Sequence, residues 1–166
     1  MADVSVRPAT PADAAAVARV QLTTWQAAYG GLLPSQALVL DPEELAAAWE
    51  QAVTSPPTPR HRLLVAVDAG EVVGLASSEP AEEGAELTAL LVEPRWGRRG
   101  HGSRLLAASV DHWRADGVRL AVTWVFESDT VVSAFLASAG WGPDTVVRTL
   151  ENDAAVVRQR RWHTEL

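Results

Sequence analysis

A loop rich in glycine and arginine lies near the middle of the chain, between an apolar segment and an amphipathic one. The apolar segment, residues 86–92, predicts a β-strand. The amphipathic segment predicts a helix from about Gly102 to Asp116, closed by Gly117. Its apolar stripe consists of Leu105, Leu106, Val110 and Trp113. A strand that passes into a helix is typical of α/β proteins, so this unit restricts the chain to folds that mix both elements.

Strand and helix signals alternate along the rest of the chain. An acidic loop is predicted over residues 79–83. Further helices are predicted over residues 10–29, about 42–53 and 128–139. Further strands are predicted over residues 4–6, 62–67, 72–76, 119–125, 146–150 and 156–162. A length of 166 residues fits one domain, so we expect a single α/β domain over residues 1–166.

The composition excludes several classes of protein. The chain has no cysteine, which removes disulfides, thiolate metal sites and cysteine nucleophiles. Its 4 histidines show no metal-ligand spacing, so we expect no metal and treat them as surface residues. A net charge of −7 disfavours nucleic-acid binding. The sequence has no apolar run of membrane-spanning length, and residues 1–7 lack signal-peptide features, so we expect a cytoplasmic protein without a membrane partner.

The loop concentrates positive charge in this acidic protein. Residues 95–104 contain no aspartate or glutamate, and they contain four arginines: Arg95, Arg98, Arg99 and Arg104. Gly97, Gly100 and Gly102 allow the backbone to approach a ligand, and the following helix N-terminus favours a phosphate there. The alternative is a tight turn with a solvated arginine face. The Walker A motif is excluded because its Gly-Lys-Ser/Thr sequence is absent. The dinucleotide-binding fingerprint is excluded because Leu105 stands where its third glycine would be.

The loop is similar to the pattern Arg/Gln-x-x-Gly-x-Gly/Ala, with Gly97 at the first position and Gly100 and Gly102 at the glycine positions. This pattern belongs to the GNAT N-acetyltransferase superfamily. Other segments are similar to members of the same family: residues 6–13, 25–34, 91–94 and 135–141. The sequence therefore resembles a GNAT protein over nearly its whole length. Gly97 is a departure, because the family has arginine or glutamine at that position.

The resemblance implies a fold and a cofactor. The fold is α/β, with a mixed, mostly antiparallel central sheet of about six or seven strands flanked by about four helices. The cofactor is acetyl-CoA, a co-substrate whose pyrophosphate lies at the loop and whose pantetheine amides pair with the central strand. The strand positions are Leu90, Leu91 and Val92. The other cofactor-binding positions are Gly97, Arg98, Arg99, Gly100, His101 (chiefly through its backbone N–H), Gly102, Ser103, Asp129 and Phe135.

The resemblance also implies that a primary amine attacks the thioester directly, without an acyl-enzyme. Glu86 is our candidate base for removing the amine's proton. Strict alternation would place Glu86, Leu90 and Val92 on one face of the strand, unless a bulge intervenes. The alternative for Glu86 is an exposed residue at a strand edge.

The general acid is the weakest part of the resemblance. The tyrosine that many members carry in the last helix corresponds to Leu136, and a frequent asparagine to Asp129. Tyr29 is an alternative donor, and Trp25, Tyr29 and Glu86 are the candidate residues for binding the acceptor. A thiolate can also leave without an acid, because thiols are acidic enough.

Two functions therefore stay open, together with a third that uses an O-acyl acceptor or a longer acyl donor. One is an N-acetyltransferase that acts on a small molecule, a peptide or a protein. The other is a non-catalytic acyl-CoA-binding sensor, which Leu136 and Gly97 favour. The sequence also leaves a homodimer open.

Overall fold

The computed structural model describes residues 3–29, 40–151 and 155–166. Within these ranges the chain forms four helices: α1 (Ala14–Tyr29), α2 (Pro42–Thr54), α3 (His101–Ala115) and α4 (Thr130–Ser138). The strands are β1 (Val4–Pro8), β2 (Arg62–Asp68), β3 (Glu71–Ala81), β4 (Gly84–Val92), β5 (Leu120–Phe126), β6 (Gly142–Glu151) and β7 (Val156–Glu165). Every helix and strand expected from the sequence is present, although several strands are longer than expected.

The seven strands form one sheet in the order β1-β2-β3-β4-β5-β7-β6. Strands β4 and β5 pair in parallel, whereas the other neighbouring strands pair antiparallel. This confirms the mixed, mostly antiparallel sheet flanked by helices that the resemblance implies.

Each face of the sheet is covered by helices that bury an apolar stripe. On one face, called here the α1 face, Val17 and Val20 of α1 pack with Leu75 and Leu91 of the sheet. On the opposite face, called the α3 face, buried residues of α3 and α4 pack against the sheet in a second cluster that contains Leu105, Trp113 and Leu136. Among the described residues, no helix is both long and apolar enough to cross a membrane.

Local sequence signals account for the helix boundaries. A 3₁₀ turn at Pro11–Asp13 precedes α1, and the Thr10 N–H donates to the Asp13 carboxylate at 2.7 Å. Asp129 is the N-cap of α4, and its carboxylate accepts a hydrogen bond from the Val132 N–H at 3.0 Å. After α3, Gly117 takes a φ of 78°, a left-handed conformation that glycine adopts without strain.

A gap opens between the two parallel strands. Ala85, Glu86 and Leu87 of β4 pair with residues 121–123 of β5, and within the described chain the pairing of these strands ends there. Strand β4 nevertheless continues along β3 as far as Val92. At the last paired position the Thr123 hydroxyl donates to the Leu87 carbonyl at 2.7 Å. Residues 88–92 therefore have a strand neighbour on one side and a gap on the other.

A β-bulge reverses the facing of β4 inside this segment. Ser78 pairs with Leu87 and Ser77 with Ala89, which leaves Thr88 as the extra residue. Leu87 consequently shares the α3 face with Leu90 and Val92, whereas Ala89 and Leu91 contact the α1 face. Of the two arrangements left open by the sequence, the bulge is therefore present, and Glu86 does not share a face with Leu90 and Val92. Glu86, which precedes the bulge by two positions, lies on the α1 face.

The acidic loop predicted over residues 79–83 is wrong in part. Strand β3 extends to Ala81, and Glu79 lies inside it, directly opposite Glu86. Glu, Pro and Ala are depleted in strands, so the local sequence favours a loop here, and pairing with β4 overrides that preference.

Replacing Thr123 by valine tests whether its hydroxyl stabilises the end of the β4–β5 pairing. The change keeps the shape and removes a buried hydrogen bond, so we expect the free energy of unfolding in urea to fall by about 1–2 kcal/mol. Thr88 provides the control, because its exposed hydroxyl donates to the Ser77 carbonyl at 3.0 Å. Thr88→Val should change stability by less than about 0.5 kcal/mol, since water replaces the lost partner. Equal losses in both variants would contradict the assignment.

Candidate active site

The glycine-rich loop leaves the N-terminus of α3 open. Gly100 is the N-cap residue, with a φ of 83°, and no side chain caps the helix. The first bond of the helix runs from the Arg104 N–H to the Gly100 carbonyl at 3.0 Å. The N–H groups of His101, Gly102 and Ser103 therefore have no acceptor within the helix. Such a helix end binds anions, because free N–H groups and the positive end of the helix dipole point the same way.

Three arginines of the loop keep their charge available to a ligand. Arg98, Arg99 and Arg104 have no acidic partner among the residues that the structure describes, and all three are exposed. The Arg104 guanidinium donates to the Arg99 carbonyl at 3.0 Å and so closes the loop on itself. The Arg99 guanidinium lies 4.9 Å from the centre of the Trp96 ring, within range of a cation–π contact.

Arg95 differs from the other loop arginines. Its Nε donates to the buried Glu93 carboxylate at 2.8 Å, and one of its terminal nitrogens lies 3.1 Å from Glu71. Arg95 is therefore neutralised by protein carboxylates. It holds the start of the loop to the β3 side of the sheet.

Gly102 connects the open helix end with the gap beside β4. A Cβ atom at this position would lie 3.6 Å from Cζ of Phe135 in α4 and 3.8 Å from Cγ2 of Val92 in β4. The first turn of α3 thus lies next to both side chains, and the glycine keeps a side chain of its own out of that space. The structure brings together three positions that the sequence had assigned to cofactor binding, namely Val92, Gly102 and Phe135.

The backbone of β4 presents polar groups to the gap. The Glu93 N–H donates to the Val73 carbonyl of β3 at 2.8 Å. Because backbone groups alternate in direction along a strand, those of Leu91 point toward β3 and those of Leu90 and Val92 point toward the gap. Leu91 is buried in the α1-face cluster instead. Of the three strand positions expected at the cofactor, Leu90 and Val92 have the geometry to pair with an added, strand-like ligand.

Glu86 has a perturbed carboxyl group. It is partly buried, and burial raises its pKa above the ordinary value, with the negative charge of Glu79 adding to the rise. The positive charge of Arg148 and a hydrogen bond from Trp124 oppose these effects without cancelling them. Like charges directly opposite each other in an antiparallel pair are unfavourable, so Glu79 and Glu86 form a place where a cation is stabilised.

An aromatic plane borders this carboxylate pair. Trp124 of β5 carries the Arg148 guanidinium 4.3 Å above its ring, and the Arg148 Nε donates to Oε1 of Gln159 at 2.8 Å. Sequence reasoning missed Trp124, Arg148 and Glu79 as neighbours of Glu86. They come from three other strands, and no local spacing relates them to it.

The other residues that the sequence analysis considered for the site lie in different parts of the fold. Trp25 is partly buried and packs against the α1-face cluster. Tyr29 is the last residue of α1, and its side chain lies outside the described residues. Asp129 is buried as the cap of α4. Leu136 is only 2% exposed, inside the α3-face core, so α4 offers no hydroxyl at that position.

His101 corrects the expectation that the histidines are surface residues. Its side chain is 1% exposed, and its Nε2 lies 3.0 Å from Oδ2 of Asp68. Asp68 is the last residue of β2, far from His101 in the sequence. This pairing left no signal that a single sequence could reveal.

Solved structures with this fold include N-acetyltransferases and a protein bound to acetyl-CoA. PaiA N-acetyltransferase of Thermoplasma acidophilum, solved with coenzyme A, has a TM-score of 0.80 at 14% identity, over 99% of each chain. Ribosomal-protein-alanine N-acetyltransferase of Brucella melitensis has a TM-score of 0.76 at 20% identity, over 98% of this chain and 99% of that one. YncA of Salmonella typhimurium, solved with acetyl-CoA, has a TM-score of 0.74 at 19% identity, over 98% of this chain and 94% of that one.

The family follows from sequence as well as from fold. Among curated proteins, none matches the chain in sequence. The sequence model of the acetyltransferase (GNAT) family matches residues 24–141, which include the open end of α3, the gap and α4. This match covers well over half of the chain, and the chain therefore belongs to the GNAT acetyltransferase family.

Proposed function

We propose that this protein transfers the acetyl group of acetyl-CoA to a primary amine by direct attack of the amine on the thioester. One observation carries the proposal. The uncapped N-terminus of α3 lies against Val92 of β4 at Gly102, where β4 is no longer paired with β5. That arrangement joins a site for a diphosphate to a slot for an extended chain, and CoA contains both parts in that order.

Different groups of the chain bind different parts of acetyl-CoA. The N–H groups of residues 101–103 bind the pyrophosphate together with the Gly97–Gly100 loop, and Arg98 and Arg99 add charge-assisted hydrogen bonds. Phe135 borders the pantetheine part of CoA. The backbone of Leu90 and Val92 pairs with the amides of the pantetheine. Gly97 lacks the side chain of other members, which matters little where backbone N–H groups bind the phosphates.

The same residues favour the reaction. Acetyl-CoA supplies an activated thioester carbonyl. A β4 N–H that faces the gap polarises this carbonyl in the manner of an oxyanion hole. The amine nitrogen forms the new C–N bond, the C–S bond breaks, and the sulfur leaves as a thiolate. Glu86 accepts the proton that the amine gives up.

A carboxylate base meets a definite need. An alkylammonium group with a pKa near that of lysine resists deprotonation at pH 7 by roughly 4–5 kcal/mol. Glu79 and Glu86 attract such a cation, and the raised pKa of Glu86 makes it a better proton acceptor than an ordinary carboxylate. Glu86 lies on the α1 face, so we place the amine on that side of the gap. Trp25 and Tyr29 are our proposed residues for the acceptor wall.

Leaving-group protonation needs no residue of α4. Leu136 takes the place of the tyrosine whose hydroxyl protonates the leaving group in many members of the family. The thiolate of CoA can leave as an anion without that proton, because thiols are acidic enough. Tyr29 stays our alternative donor. A non-catalytic acyl-CoA sensor is the second candidate, which Leu136 and Gly97 favour. The perturbed Glu86 beside Glu79 favours the enzyme, since a sensor has no use for a base.

Gly102→Asp should weaken CoA binding by about 100-fold, because it places a negative charge beside the N–H groups that are proposed to bind the diphosphate. The backbone tolerates the change, since its Cβ would make only ordinary contacts with Phe135 and Val92. Gly142→Asp adds the same group where no atom lies within 4 Å, and it should bind CoA normally. Calorimetry measures both affinities. Unchanged affinity in Gly102→Asp would remove α3 from the cofactor site.

Glu86→Gln should lower kcat for amine acetylation by about 100-fold and change the Kd for CoA less than about threefold. The neutral amide keeps the shape and loses the proton acceptor. Glu50→Gln, an exposed change on α2, is the matched control and should keep full activity. Thiol release across a panel of amines provides the assay. Wild-type protein that binds CoA but turns over no amine would support the sensor instead.

Glu79→Gln should lower the pKa of the Glu86 carboxyl, because it removes the negative charge that contributes to the rise. An NMR titration of the Glu86 carboxyl carbon measures the shift directly. Since only ionised Glu86 accepts a proton, the acid limb of turnover should move to lower pH in the same variant. Glu83→Gln, in the nearby turn, should move neither. Identical titrations of Glu86 in wild type and Glu79→Gln would show that Glu79 has no such effect.

A further inference from the structure

His101 occupies an unusual place for an imidazole. It is the first residue of α3, its side chain is 1% exposed, and Nε2 lies 3.0 Å from Oδ2 of Asp68. Its other ring nitrogen, Nδ1, is buried without a hydrogen-bond partner among the described residues. The Trp96 ring meets the imidazole edge-on, with ring centres 6.5 Å apart.

Burial alone does not account for a histidine here. An apolar side chain would fill the same space without burying an unpaired ring nitrogen, which costs about 1–3 kcal/mol. What the imidazole provides is a hydrogen bond from the first turn of α3 to the end of β2. Asp68 is itself buried, so the bond forms away from competing water.

The bond also lies next to a loop whose side chains are mostly exposed to solvent. Between the buried Glu93 and His101, every residue except Trp96 is exposed. The residues just before α3 therefore bury few side chains, although the N–H groups of residues 101–103 must be aimed within about 0.5 Å to hold a diphosphate. The His101–Asp68 bond fixes the first of those three residues.

We propose that His101 is a positioning residue, which together with Asp68 aims the N-terminus of α3 at the diphosphate of the cofactor. This inference rests on the proposed function only in the identity of that ligand. It predicts that the pair acts on the diphosphate end of CoA and not on the pantetheine end. A merely structural role would affect both ends alike.

Three variants grade the interaction. His101→Leu fills the space and abolishes the bond. Asp68→Asn keeps the shape and weakens the bond by removing the charge. His101→Gln places an amide donor at the reach of Nε2 and should restore binding. Asp116→Asn is the control at the other end of α3, where Arg62 and Asp116 form an ion pair at 2.6 Å.

The readout is the Kd for CoA, measured by calorimetry, beside the Kd for pantetheine, which lacks the diphosphate, measured by NMR titration. We expect His101→Leu to weaken CoA binding about tenfold, Asp68→Asn to weaken it less, and His101→Gln to approach wild type. Pantetheine binding should stay unchanged throughout, and the control should alter thermal stability but neither affinity.

Two results would overturn the inference. One is an equal loss of CoA and pantetheine binding in Asp68→Asn, the variant least prone to misfolding. The other is normal CoA binding in His101→Leu. Because both ligands are measured without turnover, an inactive wild type that shows the expected pattern would defeat the proposed enzyme activity and leave the role of His101 standing. Wild-type protein that fails to bind CoA would overturn both.

Discussion

Strands β4 and β5 pair over three residues and then separate, and the site depends on that separation. A fully paired sheet would satisfy the backbone groups of Leu90 and Val92 and leave no room beside them. The Thr123 hydroxyl bonds the last paired carbonyl, so the parting begins at a defined residue. The Thr88 bulge follows at once and turns Leu90 toward the α3 face. A regular sheet is thus interrupted at one point, and its unused hydrogen-bonding groups become available to a ligand.

Electrostatics divide the neighbourhood of the gap into two regions. At the N-terminus of α3, free N–H groups and the exposed Arg98 and Arg99 favour an anion. On the α1 face, Glu79 and Glu86 lie directly opposite each other on the adjacent strands β3 and β4, and they favour a cation. An overall charge of −7 conceals this division, because it sums over regions of opposite sign. The proposed substrates, a diphosphate-bearing thioester and an amine, match the two regions separately.

The loop could be recognised in the sequence because its properties are local. Glycine spacing and the entry into a helix act within about ten residues, and they predicted both the open helix end and the place of Gly102. The helices and strands were predictable for the same reason, since hydrophobic periodicity reports on neighbouring residues. The sequence left two facings open for Glu86, with and without a bulge, and could not decide between them because a bulge is set by the partner strand. Trp124, Arg148 and Asp68 reach the site through pairing between distant segments.

The sequence by itself determined the family, the alternation of strands and helices, and a glycine-lined helix start that suits a phosphate. Each of these follows from short-range rules of backbone conformation and hydrogen bonding. Only the tertiary structure decided that His101 is buried against Asp68, that Glu79 faces Glu86, and that Leu136 lies in the core. These depend on strand register and packing, in which a shift of one residue exchanges the two faces of a strand.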